Sequence, residues 1–192
     1  MPDKAETVNQ ILALAQNLVQ ERGFNAVSYG DISRQLGIRN ASIHYYFPSK
    51  NDLGTALARH YRQRLEMQLN HISQNVASPA EQLEQYLQAY QTVVHEDGRI
   101  CLCTVLAGEY NTLPVSMQQE VGAFFDLNES WLTQVMALGQ STGELHLNGT
   151  PQQAAEALLA ALEGAMLLAR SHSDLRRFHD IARRSVDALR AA

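Results

Sequence analysis

A short polar and aromatic run near residue 43 carries groups of the kind that contact nucleic acid. In a helix over residues 39–47, the apolar Ile43 and Phe47 form the inner side, which leaves amide, hydroxyl, imidazole and phenol groups outside. These outer residues are Asn40, Ala41, Ser42, His44, Tyr45 and Tyr46. A helix of this kind can enter a major groove, where such groups meet base edges and phosphates. The run is therefore a candidate recognition helix for DNA.

Further candidate DNA contacts flank this run. Ser28 and Tyr29 begin a preceding short helix, Arg39 lies in the turn before the run, and Lys50 begins the helix after Pro48. Positive charge near the free N–H groups of a helix start suits a phosphate. Simpler interpretations stay open for each type: the serine as a helix cap, the lysine as a solvated charge, and the paired tyrosines as core.

Two cysteines offer a second kind of chemistry. We expect Cys101 in the first turn of a helix, near Arg99, where the helix dipole and a cation lower the pKa of a thiol. Cys103 faces elsewhere, because residues two apart on a helix do not share a face. Free cysteines are usually buried and inert, so a sensing role for the pair stays open. Glu109 and Tyr110 either line a pocket nearby or serve as a cap or ion pair.

Composition and motifs argue against several classes of protein. The hydrophobic content of 45% and the charged content of 18% are typical of a soluble globular chain. We find no Gly-rich phosphate loop, paired-acid constellation or nucleophile elbow, so we expect no enzyme. The C-x-C pair lacks the usual metal-ligand spacing, and we expect neither metal nor cofactor. No apolar stretch approaches the roughly 18 residues that span a bilayer, and no secretory signal is evident, so we expect a cytoplasmic protein.

The net charge of −5 is unevenly distributed. Residues 1–75 hold eight Lys and Arg against six Asp and Glu, a balance of +2. Residues 76–192 hold seven against fourteen, a balance of −7. A mildly basic N-terminal part on an acidic body suits a small DNA-binding module, although the charge alone is weak support.

Helical periodicity dominates the chain, and no stretch alternates as a strand does. We therefore predict an all-α fold of nine helices, with a domain boundary inside the long fourth helix. Glycines at the ends of helices and serines or threonines at their starts set the approximate bounds. The predicted helices are 3–22, 28–36, 39–47, 49–75, 79–95, 99–110, 114–142, 150–171 and 173–190.

The segment LGIRNASIHYYFPSKNDL resembles the DNA-binding domain of TetR/AcrR-type transcriptional regulators. The resemblance covers about residues 4–64, and its most specific part is the aromatic cluster followed by phenylalanine and Ser-Lys. It implies a helix-turn-helix domain at 4–64, with the motif at about 28–47, and a ligand-sensing and dimerisation domain at 65–192.

The same resemblance suggests roles for individual residues. It implies that Asn40 and Ser42 meet bases while Tyr45 and Tyr46 hold phosphates. His44 departs from the tyrosine commonly found at its position, which leaves its role open. Segment 98–110 more weakly resembles the sensor domain of a cysteine-containing subgroup, some members of which respond to reactive electrophiles or oxidants.

One helix-turn-helix domain makes too few phosphate contacts to bind DNA with useful affinity. We therefore predict a homodimer on a palindromic operator in double-stranded DNA. The apolar helix 150–171, with 173–190, would pair with a second copy, although the same residues could be monomer core. The predicted function is a regulator, favoured by the resemblance to be a repressor, released by a small molecule or an electrophile. The rival interpretation is a helical interaction protein without DNA binding.

Overall fold

The computed structural model describes residues 4–94 and 98–190, and this part of the chain is almost entirely helical. It contains nine α-helices, a 3₁₀ turn at Tyr110–Thr112 and, in place of any strand, one isolated bridge between Leu145 and Arg190. This confirms the predicted all-α class. The helices are α1 Lys4–Arg22, α2 Tyr29–Leu36, α3 Asn40–Tyr46, α4 Lys50–Asn75, α5 Pro79–Val93, α6 Leu102–Gly108, α7 Val115–Thr142, α8 Pro151–His172 and α9 Leu175–Asp187.

The chain divides into two compact units, and the first contains α1–α3 with part of α4. It extends to Gln63 and also includes residues 102–123. Its core is apolar. Apolar residues of α1 recur every three or four positions and therefore share the buried face of that helix: Ile11, Leu12, Ala15, Leu18 and Val19. The 102–123 segment is joined to α4 by Glu120, whose carboxylate accepts hydrogen bonds from Arg59 Nε at 2.7 Å and Arg62 Nε at 3.0 Å.

The second unit comprises residues 64–101 and 124–192 and buries two faces of α8. Leu158, Leu162 and Met166 of α8 lie in its core, and Phe178 of α9 is fully buried. Arg183 of α9 donates to both carboxylate oxygens of Glu84 on α5, at 2.5 and 3.0 Å. Together these contacts stabilise a bundle of α5, α8 and α9.

Helix α6 is shorter than predicted, and this corrects the position of one cysteine. Ile100 and Cys101 are buried in non-helical backbone before the helix begins at Leu102. The backbone N–H of Cys101 donates to the sulfur of Met166 at 3.4 Å, a tertiary contact that a periodicity argument cannot see. Cys101 therefore does not lie in the first turn of a helix. The predicted end of the fifth helix near residue 95 falls outside the described residues.

Candidate nucleic-acid interface

Helix α2 begins at a reciprocal cap formed by Ser28 and Asp31. The Ser28 hydroxyl accepts from the Asp31 backbone N–H, and the Asp31 carboxylate accepts from the Ser28 backbone N–H at 2.9 Å. Hydrogen bonds from the Ser28 hydroxyl and backbone lower the pKa of Asp31. Ser28 is thus a helix cap with an exposed side chain. Its predicted contact with the DNA backbone stays a prediction.

The turn from α2 to α3 depends on the backbone freedom of Gly37. This residue has φ +67°, a left-handed conformation that glycine adopts without a Cβ penalty. Its N–H donates to the Ser33 carbonyl and ends α2. Two residues later the chain enters α3 at Arg39, whose exposed side chain makes no cap hydrogen bond.

Helix α3 presents the predicted face outward. Ile43 is fully buried and Phe47 nearly so, which orients the helix. Of the predicted contacts, Asn40, Ala41, His44 and Tyr45 are exposed, and Ser42 and Tyr46 are half-buried. Within the described residues, the side chains of Asn40 and Ser42 make no hydrogen bond to the protein. Arg39, Ala41, Ser42, Tyr45 and Tyr46 line a shallow, open hollow along this helix.

Tyr45 is a large hydrophobic side chain of this face that is nevertheless 71% exposed. Its ring packs edge-on against that of Tyr46, with centroids 5.0 Å apart. The ammonium of Lys4 lies 5.7 Å from the Tyr45 ring centroid, within the range of a cation–π contact. Sequence reasoning missed Lys4, because nothing in the local pattern places the start of α1 beside α3. The available signal was that it is one of only two lysines in the chain.

The Tyr29 side chain contacts both the end of α3 and the His44 ring on that helix. The Tyr29 hydroxyl lies 2.7 Å from the Phe47 carbonyl and 2.6 Å from the Ser49 carbonyl, positioned to donate to them. Burial and the nearby Asp52 carboxylate raise the pKa of Tyr29 to about 12. The His44 ring stands edge-on to the Tyr29 ring, with centroids 4.6 Å apart. Tyr29 therefore has a positioning role whether or not it also contacts DNA.

Lys50 is half-buried, and its charge is directed into the protein. Its ammonium donates to the Asn25 carbonyl at 3.1 Å and lies 4.7 Å from the centroid of the Phe24 ring. Burial lowers the pKa of Lys50, while the Glu109 carboxylate opposes that shift. At the adjacent start of α4, Ser49 and Asp52 cap each other's backbone N–H groups. A phosphate contact by Lys50 would therefore have to share the lysine with these internal partners.

The four predicted sensor residues lie in different environments. Cys101 and Cys103 are buried, at 2% and 0% exposure, and neither is part of a disulfide. The Glu109 carboxylate accepts from the backbone N–H groups of Phe24 at 2.8 Å and Asn25 at 3.2 Å, so it fastens the loop after α1. Tyr110 is 46% exposed on the 3₁₀ turn. This contact ties Glu109 to the backbone of that loop, and its predicted role in lining a pocket stays a prediction.

A buried polar cluster in the second unit was not found from the sequence. The Tyr86 hydroxyl donates to Asn128 Oδ1 at 2.7 Å, and the Tyr90 hydroxyl donates to Glu163 Oε1 at 3.0 Å. Burial raises the pKa of both phenols well above the ordinary value, so both stay protonated. Tyr86 and Tyr90 lie four residues apart on α5, but Asn128 comes from α7 and Glu163 from α8, so no spacing within one helix predicts the whole cluster. The described residues contain no group of three His, Cys, Asp or Glu side chains suited to a metal.

Comparison with known proteins decides the family. Residues 11–57 match the family described as bacterial regulatory proteins, tetR family, and residues 79–185 match the tetracyclin repressor-like C-terminal domain. The chain belongs to the TetR family. It is therefore a transcriptional regulator and not an enzyme, which confirms both the resemblance and that expectation. Regulators of this family are typically DNA-binding repressors.

Several relatives are similar over most of the chain. A solved TetR-family regulator from Agrobacterium tumefaciens is 38% identical, covers 98% of this chain and 100% of its own, and has a TM-score of 0.93. The transcriptional regulator AcuR of Cereibacter sphaeroides is 25% identical over 175 residues, 88% of this chain and 78% of AcuR. The repressor NemR of Escherichia coli is 25% identical over 168 residues, 86% of this chain and 84% of NemR. None of the described helices is long and apolar enough to span a membrane.

Proposed function

We propose that this TetR-family regulator is a cytoplasmic, homodimeric repressor that binds a palindromic operator and is released by a small molecule. Residues 4–64 bind DNA, and residues 65–192 sense the signal and dimerise. The outward face of α3 carries the proposal. Its side chains include an amide and a hydroxyl that have no hydrogen-bond partner in residues 4–94 and 98–190, beside a tyrosine that is 71% exposed. Such groups are expected at a surface that another molecule completes.

Within that face, we assign base contacts to Asn40 and Ser42 and phosphate contacts to Tyr45, Tyr46 and the flanking residues. Short polar side chains on an inserted helix reach base edges, whereas phenols at its margin reach the sugar-phosphate backbone. The family resemblance of this segment agrees with that division. The positive charge of Lys4 lies close to Tyr45, and it supports contact of this part of α3 with the DNA phosphate backbone.

We assign dimerisation to α8 and α9. Leu167 and Leu168 are 50% and 45% exposed in a helix that buries its other leucines and its methionine, and Ala157 and Ala160 on the same helix are exposed too. Small residues permit close helix approach, and two such pairs from two chains make a four-helix bundle. A dimer reads half-sites about one helical turn, or a multiple of it, apart, which is why we expect a palindrome.

The signal acts by shifting the population of DNA-competent dimers. A ligand that prefers the released arrangement a hundredfold supplies about 2.7 kcal/mol toward release. Burial of both thiols favours non-covalent binding over attack of an electrophile on Cys101 or Cys103, because a reactive cysteine is usually accessible. The covalent route therefore has no structural support beyond the resemblance of segment 98–110.

Selection from a random DNA library, followed by fluorescence anisotropy on the selected sequence, tests this function. We expect a twofold-symmetric sequence. Asn40→Ala and Ser42→Ala should each weaken binding to it roughly fivefold or more, since a good base contact is worth about 1–3 kcal/mol. Non-specific binding should change little. Asn111→Ala, at an exposed asparagine of the 3₁₀ turn, is the matched control.

Two outcomes would contradict the proposal. If no sequence is enriched, the chain does not bind DNA sequence-specifically. That result would favour the rival function of a helical interaction protein. If Asn40→Ala and Asn111→Ala have the same affinity as the wild type, DNA binding stands but α3 is not the reading element.

A further inference from the structure

The loop after α1 is held by two groups of opposite charge. The Glu109 carboxylate accepts from the backbone N–H groups of Phe24 at 2.8 Å and Asn25 at 3.2 Å. The Lys50 ammonium donates to the Asn25 carbonyl at 3.1 Å and lies 4.7 Å from the centroid of the Phe24 ring. All four residues belong to the first unit. A carboxylate and an ammonium therefore share one short stretch of backbone.

This stretch of backbone has little freedom to follow the lysine. The Asn25 side-chain amide donates to the Thr112 hydroxyl at 2.8 Å, which is a second link between the loop and the 102–123 segment. Phe24 is 4% exposed, and a Cβ on Gly54 of α4 would lie 2.6 Å from its ring. The ring therefore already fills the space beside α4. An ammonium attached to this loop is held by groups that are themselves fixed.

Glu109 acts on the charge of Lys50 as well as on the loop. Burial lowers the pKa of Lys50, and the Glu109 carboxylate opposes that shift because it attracts the ammonium. Both side chains are half-buried, and solvent ions screen such an attraction less than they would at an open surface. A DNA phosphate that binds Lys50 must therefore compete with the carboxylate and with the Asn25 carbonyl for the same ammonium.

We propose that Glu109 is a positioning residue for DNA binding, which holds Lys50 against the loop after α1 and so limits the contact of this lysine with a DNA phosphate. The inference rests on the proposed function, because it adds a control on a DNA contact of the same unit. The 102–123 segment, which carries Glu109, is joined in sequence to the second unit at both of its ends. The residue that restrains Lys50 thus belongs to the part of the first unit that continues directly into the proposed sensor.

Fluorescence anisotropy over a salt series, with the selected DNA sequence and with a random duplex, tests the restraint. We expect Glu109→Gln to bind both duplexes roughly fivefold more tightly and to steepen the log–log salt slope by about 0.9 per protomer, as for one added phosphate contact. The gain should disappear in a Lys50→Met background, because methionine keeps an apolar side chain beside Phe24 without the charge. Glu21→Gln, at a 54% exposed acid of α1 in the same unit, is the matched control and should not change the slope.

A purely structural role of Glu109 predicts the opposite sign. If the carboxylate only fixed the loop, Glu109→Gln would weaken DNA binding, and by the same factor with and without the Lys50 charge. The inference is overturned if Glu109→Gln does not strengthen binding, if its gain persists in the Lys50→Met background, or if Glu21→Gln gives an equal gain. The last result would mean that any acid removed from this unit has the same effect.

A second measurement needs no DNA, so that the two proposals fail independently. The chain has only two lysines, Lys4 and Lys50, and ¹³Cε labelling of lysine therefore gives two signals, of which Lys4 is the internal reference. We expect NMR titration to show a lower pKa of Lys50 in Glu109→Gln than in the wild type, because the carboxylate that favours the charged form is absent. A lowered pKa in a protein that selects no DNA sequence would retain the attraction and remove the proposed function. Sequence-specific DNA binding with an unchanged pKa of Lys50 would retain the function and overturn the restraint.

Discussion

Replacing Glu109 by alanine should loosen the loop after α1. Its carboxylate accepts two backbone N–H groups, from Phe24 and Asn25, across more than eighty residues of sequence. A hydrogen bond to a charged group contributes roughly 1.5–3 kcal/mol, and water can replace part of the bond at the exposed Asn25. We therefore expect a loss of about 2 kcal/mol for Glu109→Ala and about 1 kcal/mol for Glu109→Gln, which keeps one acceptor.

Amide hydrogen exchange is the assay, because it reports local opening and does not need both units to unfold together. A loss of about 2 kcal/mol corresponds to exchange about thirtyfold faster at Phe24 and Asn25. Glu156→Ala is the matched control: Glu156 is exposed on α8 and accepts one surface hydrogen bond, from Gln152. That variant should leave exchange at both amides unchanged.

Unchanged protection of Phe24 and Asn25 in Glu109→Ala would refute the reasoning, since it would mean that the carboxylate does not hold these amides. The backbone offers an independent check. Gly23 has φ +86°, and a Cβ there would lie 2.5 Å from Glu109 Oε1. Gly23→Ala should therefore speed exchange at the same two amides, both by backbone strain and by displacing the carboxylate.

Four further results are expected. Lys4→Ala should weaken DNA binding at every sequence and make the salt dependence shallower by about 0.9 in log–log slope, as for one lost phosphate contact; an unchanged slope would exclude that contact. Tyr29→Phe should weaken DNA binding by disturbing α3 without changing the salt slope, measured in the same titrations. The paired arginines lower the pKa of Glu84, so its contribution to stability is present above the ordinary glutamate pKa and is lost as pH falls through the lowered folded-state value. Urea unfolding should accordingly show Glu84→Gln less stable than wild type by about 1 kcal/mol at neutral pH, with the difference vanishing at acidic pH. Cys101 and Cys103 should resist N-ethylmaleimide in the native protein and both react after denaturation; rapid native labelling of Cys101 would restore the covalent route.

The parts of this molecule that follow from local pattern were predictable. The i, i+3, i+4 apolar positions of α1, the Ser28 cap and the left-handed Gly37 depend on neighbours within four residues, and each is observed. The start of α6 was not predictable, because Ile100 and Cys101 are held by tertiary packing. The same holds for the contact of Glu109 with the loop after α1, and for the contacts of Tyr86 with Asn128 and of Tyr90 with Glu163, because these partners lie tens of residues away.

The candidate DNA contacts form two groups, according to whether the side chain already has a hydrogen-bond partner in the protein. Tyr29 and Lys50 have carbonyl partners inside the first unit, so their first effect is to position α3 and α4. Asn40 and Ser42 have no such partner in the part of the chain that the structure describes, so their hydrogen-bonding capacity is left for another molecule. A sequence shows residue types but not which of them the fold has already engaged. We therefore expect sequence specificity to follow the second group, and the orientation of the recognition helix to follow the first.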